Sequence, residues 1–293
     1  PYSTKGFNLG KRLFFDPILS DDSSVSCSSC HHQKYAFSDA GNQFSEGING
    51  GIITKNVPPI FNMAWNERFM WDGGITHLDF VPFAPIINPL EMGSDLVEVI
   101  AKLNRSESYK REFKQVFGKD SIDDQQLFFA FSQYMANLVS YQSDYDSYVK
   151  REIQLKPEAI RGLDIFKTHC ASCHQEPLFR DHDFHNNGID QENELDEGRF
   201  RITQDQMDFG KFKTPSLRNI SLTFPYMHDG RFETLEEVIE HYSSGIKYSD
   251  NLDPELKRTE GGFNFSEQEK QDLLTFLQTL TDHKFITDPN FSY

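Results

Sequence analysis

Apolar residues recur at helical spacing in two stretches, one late in each half of the chain. Leu127, Phe128, Phe131, Met135 and Leu138 form the first; Leu273, Leu274, Phe276, Leu277 and Leu280 form the second. Spacings of i, i+3, i+4 and i+7 gather such residues on one helix face. Ser266 and Glu269 make a capping box just ahead of the second stretch, which predicts where that helix starts. Leu235, Val238, Ile239 and Tyr242 repeat the pattern and predict a helix over Thr234–Tyr242, with Tyr242 on its buried face. Strand signals are few and short. Runs rich in Gly, Pro and Asn predict long irregular segments over 47–59 and 182–213.

A second pattern divides the chain. Gly10-Lys11-Arg12-Leu13-Phe14 precedes Cys27-Ser28-Ser29-Cys30-His31, and Gly162-Leu163-Asp164-Ile165-Phe166 precedes Cys170-Ala171-Ser172-Cys173-His174. Each half thus reads as a helix with Gly-x-x-aliphatic-Phe, a Cys-x-x-Cys-His motif, an irregular middle and a closing helix. This predicts an internal duplication with domains 1–156 and 157–293. The link falls near Lys150–Pro157, and Pro157 suits the first turn of a new helix.

All four cysteines lie in the two motifs. Thiols at i and i+3 can form thioethers to the two vinyl groups of one haem, and the following His can ligate its iron. Zinc ligand pairs usually recur about 15–20 residues apart, whereas here one motif stands in each half. A disulfide pair would not require His after both motifs. The expected fold is therefore mainly α, with two cytochrome c-like haem domains and long irregular loops. His31 and His174 are the expected proximal ligands. Covalent haem attachment occurs outside the cytoplasm, which implies the periplasm or an equivalent space.

Composition narrows the partners. The chain has 293 residues, a net charge of −16, 37% hydrophobic and 25% charged residues. Such acidity excludes nucleic acid as a partner and favours a basic or dipolar protein. No apolar run approaches the ~18 residues of a membrane span. No secretory signal is visible at Pro1-Tyr2-Ser3, as expected of a mature or trimmed chain. The 27 Phe residues suit the walls of haem pockets and ordinary core packing equally.

In order along the chain, the motifs resemble those of the bacterial dihaem cytochrome c peroxidases and their relative MauG. The resemblance rests on Leu13-Phe14-Phe15-Asp16-Pro17, both haem motifs, Lys55-Asn56-Val57-Pro58, Trp71-Asp72-Gly73 and Asn88-Pro89-Leu90-Glu91-Met92-Gly93. It continues through Thr214-Pro215-Ser216-Leu217-Arg218-Asn219, Pro225-Tyr226-Met227-His228-Asp229-Gly230 and Thr234-Leu235-Glu236-Glu237. It implies an N-terminal haem that reacts with hydrogen peroxide and a C-terminal haem that supplies or stores electrons. Glu91 matches the distal glutamate, and a carboxylate in an apolar pocket can have its pKa raised for proton transfer. Trp71 matches the tryptophan between the haems, which also serves as a core side chain. Trp65 has no match and is expected in the core. His228 resembles a histidine near the electron-entry haem. Asn56, Thr223 and Pro225 match a calcium site between the domains, whose hard oxygen donors suit that ion; Asn and Pro are also turn formers.

Three departures from the family pattern matter. Residues 33–59 contain neither His nor Met, and His32 directly follows the proximal ligand, so the first haem is expected to be open, as in MauG. In the peroxidases a Met ligates the second haem fourteen residues after the Pro-Tyr-x-His histidine; fourteen positions after His228 stands Tyr242, as MauG has Tyr there. Tyrosinate favours ferric and higher states, whereas a thioether raises the potential. The remaining alternative is a Tyr242 that packs on the haem with its hydroxyl bonded elsewhere. Val81 replaces a family glutamine, and Thr168 stands where MauG carries a surface tryptophan.

The leading expectation is a peroxidase that draws electrons from a small donor protein, a cytochrome c or a cupredoxin. The alternative is a MauG-like enzyme that oxidises residues of a protein substrate. A third reading, an electron-transfer or sensing cytochrome, would need both irons closed. The sequence leaves the oligomeric state open, a homodimer included.

Overall fold

The computed structural model describes residues 2–191 and 196–293, so part of the expected loop 182–213 lies outside the described residues. The chain divides into two compact units. Unit 1 comprises Pro1–Asn66, Ile75–Val139 and Ile286–Tyr293; unit 2 comprises Glu67–Gly74 and Ser140–Phe285. No helix among the described residues is long and apolar enough to cross a membrane.

Unit 1 contains α1 (Thr4–Phe15), α2 (Phe83–Ile87), α3 (Leu96–Arg105), α4 (Glu107–Phe117) and α5 (Asp124–Met135). Ser3 caps α1 by accepting from the Gly6 amide at 3.0 Å, and Asp123 and Gln126 form a capping box at α5. The apolar face predicted for α5 is buried at Leu127, Phe128, Phe131 and Met135, and Leu138 is buried just past its end. It packs on α1, which buries Phe7, Leu9, Leu13 and Phe14. The crossing point is Gly10: a methyl group there would lie 2.1 Å from the Ala130 carbonyl oxygen of α5.

Unit 2 contains α6 (Asp144–Val149), α7 (Pro157–His169), α8 (Phe200–Thr203), α9 (Leu235–Ser244), α10 (Pro254–Lys257) and α11 (Glu267–Gln278). Two short antiparallel strands, β1 (Phe184–His185) and β2 (Phe212–Lys213), pair Phe184 with Lys213 and His185 with Phe212. Pro157 opens α7 as expected. The Ser266–Glu269 box opens α11, and a Thr234–Glu237 box opens α9. The helix crossing of unit 1 recurs: a methyl group on Gly162 of α7 would lie 2.0 Å from the Asp272 carbonyl oxygen of α11. Phe166, Phe179, Phe276 and Tyr145 fill the core beside it.

The boundary between the units falls at Val139/Ser140, ahead of the expected 156/157, and two segments cross it. The causes are specific bonds. Asp282 accepts from Ser140 Oγ and from the Tyr141 and Gln142 amides at 2.9–3.1 Å. Arg218 grips Asp146 with two bonds of 2.8 Å. These tie 140–149, with the buried Tyr145, to unit 2. The chain end instead returns to unit 1, where Lys11 Nζ donates to the Asn290 and Ser292 carbonyls at 3.0 and 2.8 Å. Segment 67–74 joins unit 2 through the Lys213 amide, which donates to the Trp71 carbonyl at 2.8 Å.

Trp65 corrects an expectation. It is 50% exposed, at the end of a single 3₁₀ turn whose Met63 takes the buried position instead. Tyr242 is half-buried. On α9, Leu235 and Ile239 are buried as expected, together with the polar His241 and Ser243. His241 can be buried because its Nε2 is bonded to the Asn187 carbonyl at 3.0 Å.

Candidate functional site

Each Cys-x-x-Cys-His motif is wound into one turn with the same bonds. The His31 amide donates to the Cys27 carbonyl and the His174 amide to the Cys170 carbonyl, both at 3.0 Å; the matching second-cysteine bonds are both 3.3 Å. The turn places two sulfurs and an imidazole on one short surface. His31 Nδ1 lies 2.8 Å from the Phe37 carbonyl oxygen and His174 Nδ1 3.0 Å from that of Phe179. A carbonyl cannot donate, so Nδ1 carries the proton in each ring and Nε2 is left with its lone pair. Burial also lowers the pKa of both rings, the carbonyl bonds opposing it, and so favours neutral imidazole.

The four cysteines form no disulfide. Burial, with the neighbouring cysteine second, pushes Cys27 and Cys170 up to about 12. Burial and then Asp39 push Cys30 to about 11, and burial and then Asp253 do the same for Cys173. These surroundings disfavour thiolate, the form a zinc site or an exchanging dithiol needs. They suit the neutral sulfur of a thioether. Together with the free Nε2 atoms, the residues of both motifs fit haem c.

Near the first motif lies Glu91. Asn88 shapes its turn, accepting from the Leu90 amide at 3.0 Å and donating Nδ2 to Glu91 Oε1 at 2.7 Å. The Ile48 amide holds the Glu91 carbonyl at 2.8 Å. Gly47 permits that approach, since a methyl group on it would lie 2.2 Å from the Leu90 carbonyl oxygen. Glu91 is half-buried, and burial raises its pKa, with the Asn88 bond partly opposing. Its charge also raises the Cys27 and Cys30 thiols, so carboxyl and motif share one locale. His32 is turned toward Asp39, 3.6 Å away.

Near the second motif lies Tyr242, whose hydroxyl is pushed up to about 12, first by burial and against an opposing bond from Asn187. Cys170 and Cys173 act on it in the same direction, which places it beside the motif. Asn187 was not singled out in the sequence. Its Nδ2 lies 3.3 Å from both the Tyr242 hydroxyl and Met227 Sδ, so one amide addresses both candidate ligands. His228 is buried and stacks on Phe212 at 3.6 Å and 11°. Trp71 is half-buried in segment 67–74 of unit 2. Asn56 is buried in unit 1, its Nδ2 donating to the Gln43 carbonyl at 3.1 Å, while Thr223 and Pro225 belong to unit 2.

A family model described as di-haem cytochrome c peroxidase matches residues 4–154. The methylamine utilization protein MauG of Methylorubrum extorquens is 35% identical over 96% of this chain and 79% of its own length.

The chain belongs to the di-haem cytochrome c peroxidase family.

Haem cofactors are therefore expected on grounds independent of the motif spacing. Within the family, the cytochrome c551 peroxidase of Nitrosomonas europaea is 31% identical over 93% of this chain and 79% of its own. A crystal structure of a MauG-like protein associated with microbial copper homeostasis superposes with a TM-score of 0.92 at 35% identity, covering 100% of this chain and 93% of that one. The family thus includes relatives named as peroxidases and relatives named MauG, and this chain is similar to both.

Proposed function

We propose that the chain is a periplasmic dihaem c-type peroxidase that reduces hydrogen peroxide to water with electrons from a small donor protein. Cys27 and Cys30 would hold one haem with His31 on its iron, and Cys170 and Cys173 the other with His174. The first is the reactive haem and the second relays electrons. Haem supplies the redox chemistry of O–O cleavage. The protein's part is proton transfer and positioning. Glu91 is the observation that carries the reading: a half-buried carboxyl beside the first motif, made more basic by burial and aimed by Asn88. A group so tuned can accept a proton from one peroxide oxygen and return it to the other. Asn56, Thr223 and Pro225 would take calcium, and Trp71 and His228 would serve electron transfer. The charge of −16 favours a basic donor.

The test is peroxide consumption with a reduced cytochrome c or cupredoxin. Glu91→Gln should keep two covalent haems and slow the reaction with peroxide by about 10²-fold or more. A variant reacting at the wild-type rate removes Glu91 from the chemistry. A wild type that ignores peroxide until it is reduced by one electron removes the open first haem.

The second reading is a MauG-like oxidation of a protein substrate. Tyr242 favours it, through its placement at the second motif and the anionic ligand its phenol would become. Turnover without a donor protein, together with oxidised residues on a partner, would select this reading over the first.

A further inference from the structure

In each unit the carbonyl that holds the motif histidine belongs to a Phe followed by one residue and an Asp: Phe37-Ser38-Asp39 and Phe179-Arg180-Asp181. Ser38 is buried and donates to the Tyr35 carbonyl at 2.8 Å. Arg180 has no such local partner. It is 7% exposed, and its Nη2 is buried without a hydrogen-bond partner among the described residues. Lys213 brings a second cation to the same place, close enough for the Arg180 charge to be felt at its ammonium. Its ammonium makes no hydrogen bond or close ion pair among the described residues.

A buried guanidinium beside a half-buried ammonium is costly without an anion. Burial lowers Arg180 to about 10, and burial followed by the Arg180 charge lowers Lys213 to about 8. The neighbouring carboxylate is already engaged. Asp181 accepts from His185 Nε2 at 2.9 Å and from the Asp183 amide at 3.0 Å. His185 Nδ1 in turn lies 2.6 Å from Asp253. Burial opposes the charge on that imidazole, but the two carboxylates prevail and raise it to about 9. Asp181 therefore shares its charge with an imidazolium, and the pair keeps an excess of positive charge. Among the described residues no further anion balances it.

The pair's position says which. Arg180 follows the carbonyl that holds His174, and Lys213 stands two residues before Pro215, whose backbone also bonds that ring. Both cations therefore lie on the segments that cage the proximal imidazole. A haem attached at this motif brings two propionate carboxylates to its rim.

We propose that Arg180 and Lys213 bind the propionate carboxylates of the haem held by Cys170, Cys173 and His174. This rests on the reading of that motif as a haem site. No corresponding cation exists at Ser38, so the clamp sets the two haems apart.

The experiment is a redox titration of the holoprotein, wild type against Arg180→Gln, Lys213→Gln and Arg180→Lys, with haems counted by mass. Removing a nearby cation stabilises the ferric form, so in each Gln variant one midpoint should fall while the other stays. Arg180→Lys should keep most of the wild-type value. The redox-induced infrared band of a haem carboxylate should shift in the Gln variants, which a merely structural role would not produce. If Arg180→Gln does not accumulate, Lys213→Gln carries the same test. Two haems present with both midpoints and the carboxylate band unmoved would overturn the clamp alone. A single haem in the wild type would overturn the haem reading beneath it. A wild-type midpoint that tracks added inorganic phosphate, and ceases to in Lys213→Gln, would assign the pair to a free anion and overturn the propionate.

Discussion

Around His31 the chain runs Phe37-Ser38-Asp39 and a carboxyl, Glu91, comes to the motif from the turn after α2; around His174 it runs Phe179-Arg180-Asp181 and a phenol, Tyr242, comes from α9. The supports beneath are alike. In both units a glycine helix crosses the closing helix against a carbonyl, a fully buried Phe (Phe14 or Phe166) ends the repeat pattern, and a backbone carbonyl fixes the imidazole. Shared support with different facing groups is what two haems need if one is to react and the other to relay. A carboxyl made basic by burial moves protons; a phenol, if ionised by iron, stabilises oxidised states.

The comparison can be broken at several points. The largest effect is expected where unit 2 relies on a buried ion pair. Arg218 and Asp146 have side chains only 3% and 13% exposed, and leaving one partner alone typically costs about 3–5 kcal/mol. Arg218→Ala should lower stability in denaturant unfolding by that order. In unit 1 the pair Arg12–Glu112 is 30% and 38% exposed, and Glu112→Gln should cost less than about 1 kcal/mol. Equal losses would show that burial does not separate the two pairs.

The same pair has a pH signature. Burial works to raise Asp146, but the Arg218 and Ser143 bonds outweigh it and hold the carboxyl below its ordinary value. A depressed folded pKa contributes stability above the unfolded pKa of about 3.9, lost as pH falls through the folded value. Acid unfolding followed below about pH 4 should therefore show a stability loss that Arg218→Ala diminishes.

A smaller effect is expected at the glycines. A Cβ at either crossing meets a carbonyl at hydrogen-bond distance or closer, so the helices must shift. Gly10→Ala and Gly162→Ala should each cost about 1–3 kcal/mol, the usual penalty of overpacking. A large loss at one and none at the other would end the parallel between the units.

The smallest change in stability, and the sharpest test of the second site, comes from Tyr242→Phe and Met227→Leu. Asn187 addresses both side chains, so geometry alone does not choose between them. If tyrosinate is the ligand, Tyr242→Phe should alter the ferric spectrum and raise one haem potential, while Met227→Leu leaves the spectrum intact. A methionine–iron charge-transfer band in the wild type would reverse the assignment.

Much of this molecule was readable along the chain because its cues are local. Helical periodicity, the capping box at Ser266, and a Cys-x-x-Cys-His turn closed by an i to i+4 bond all act within a few residues. Glu91 was singled out through its motif, and Asn88, three residues before it, could have been. What lay beyond the sequence depends on long-range closure. The unit boundary moved because Asp282 and Arg218 reach back to 140–149. Trp65 is exposed because Met63 won the buried position in a turn without periodicity. Asn187, Arg180 and Lys213 carry no sequence pattern, and each acquires its meaning from a partner far along the chain. Local order is written in short spacings that fix which groups share a turn or a face. The electrostatic setting of a site is a sum over all charges brought near it, and only the folded chain decides which those are.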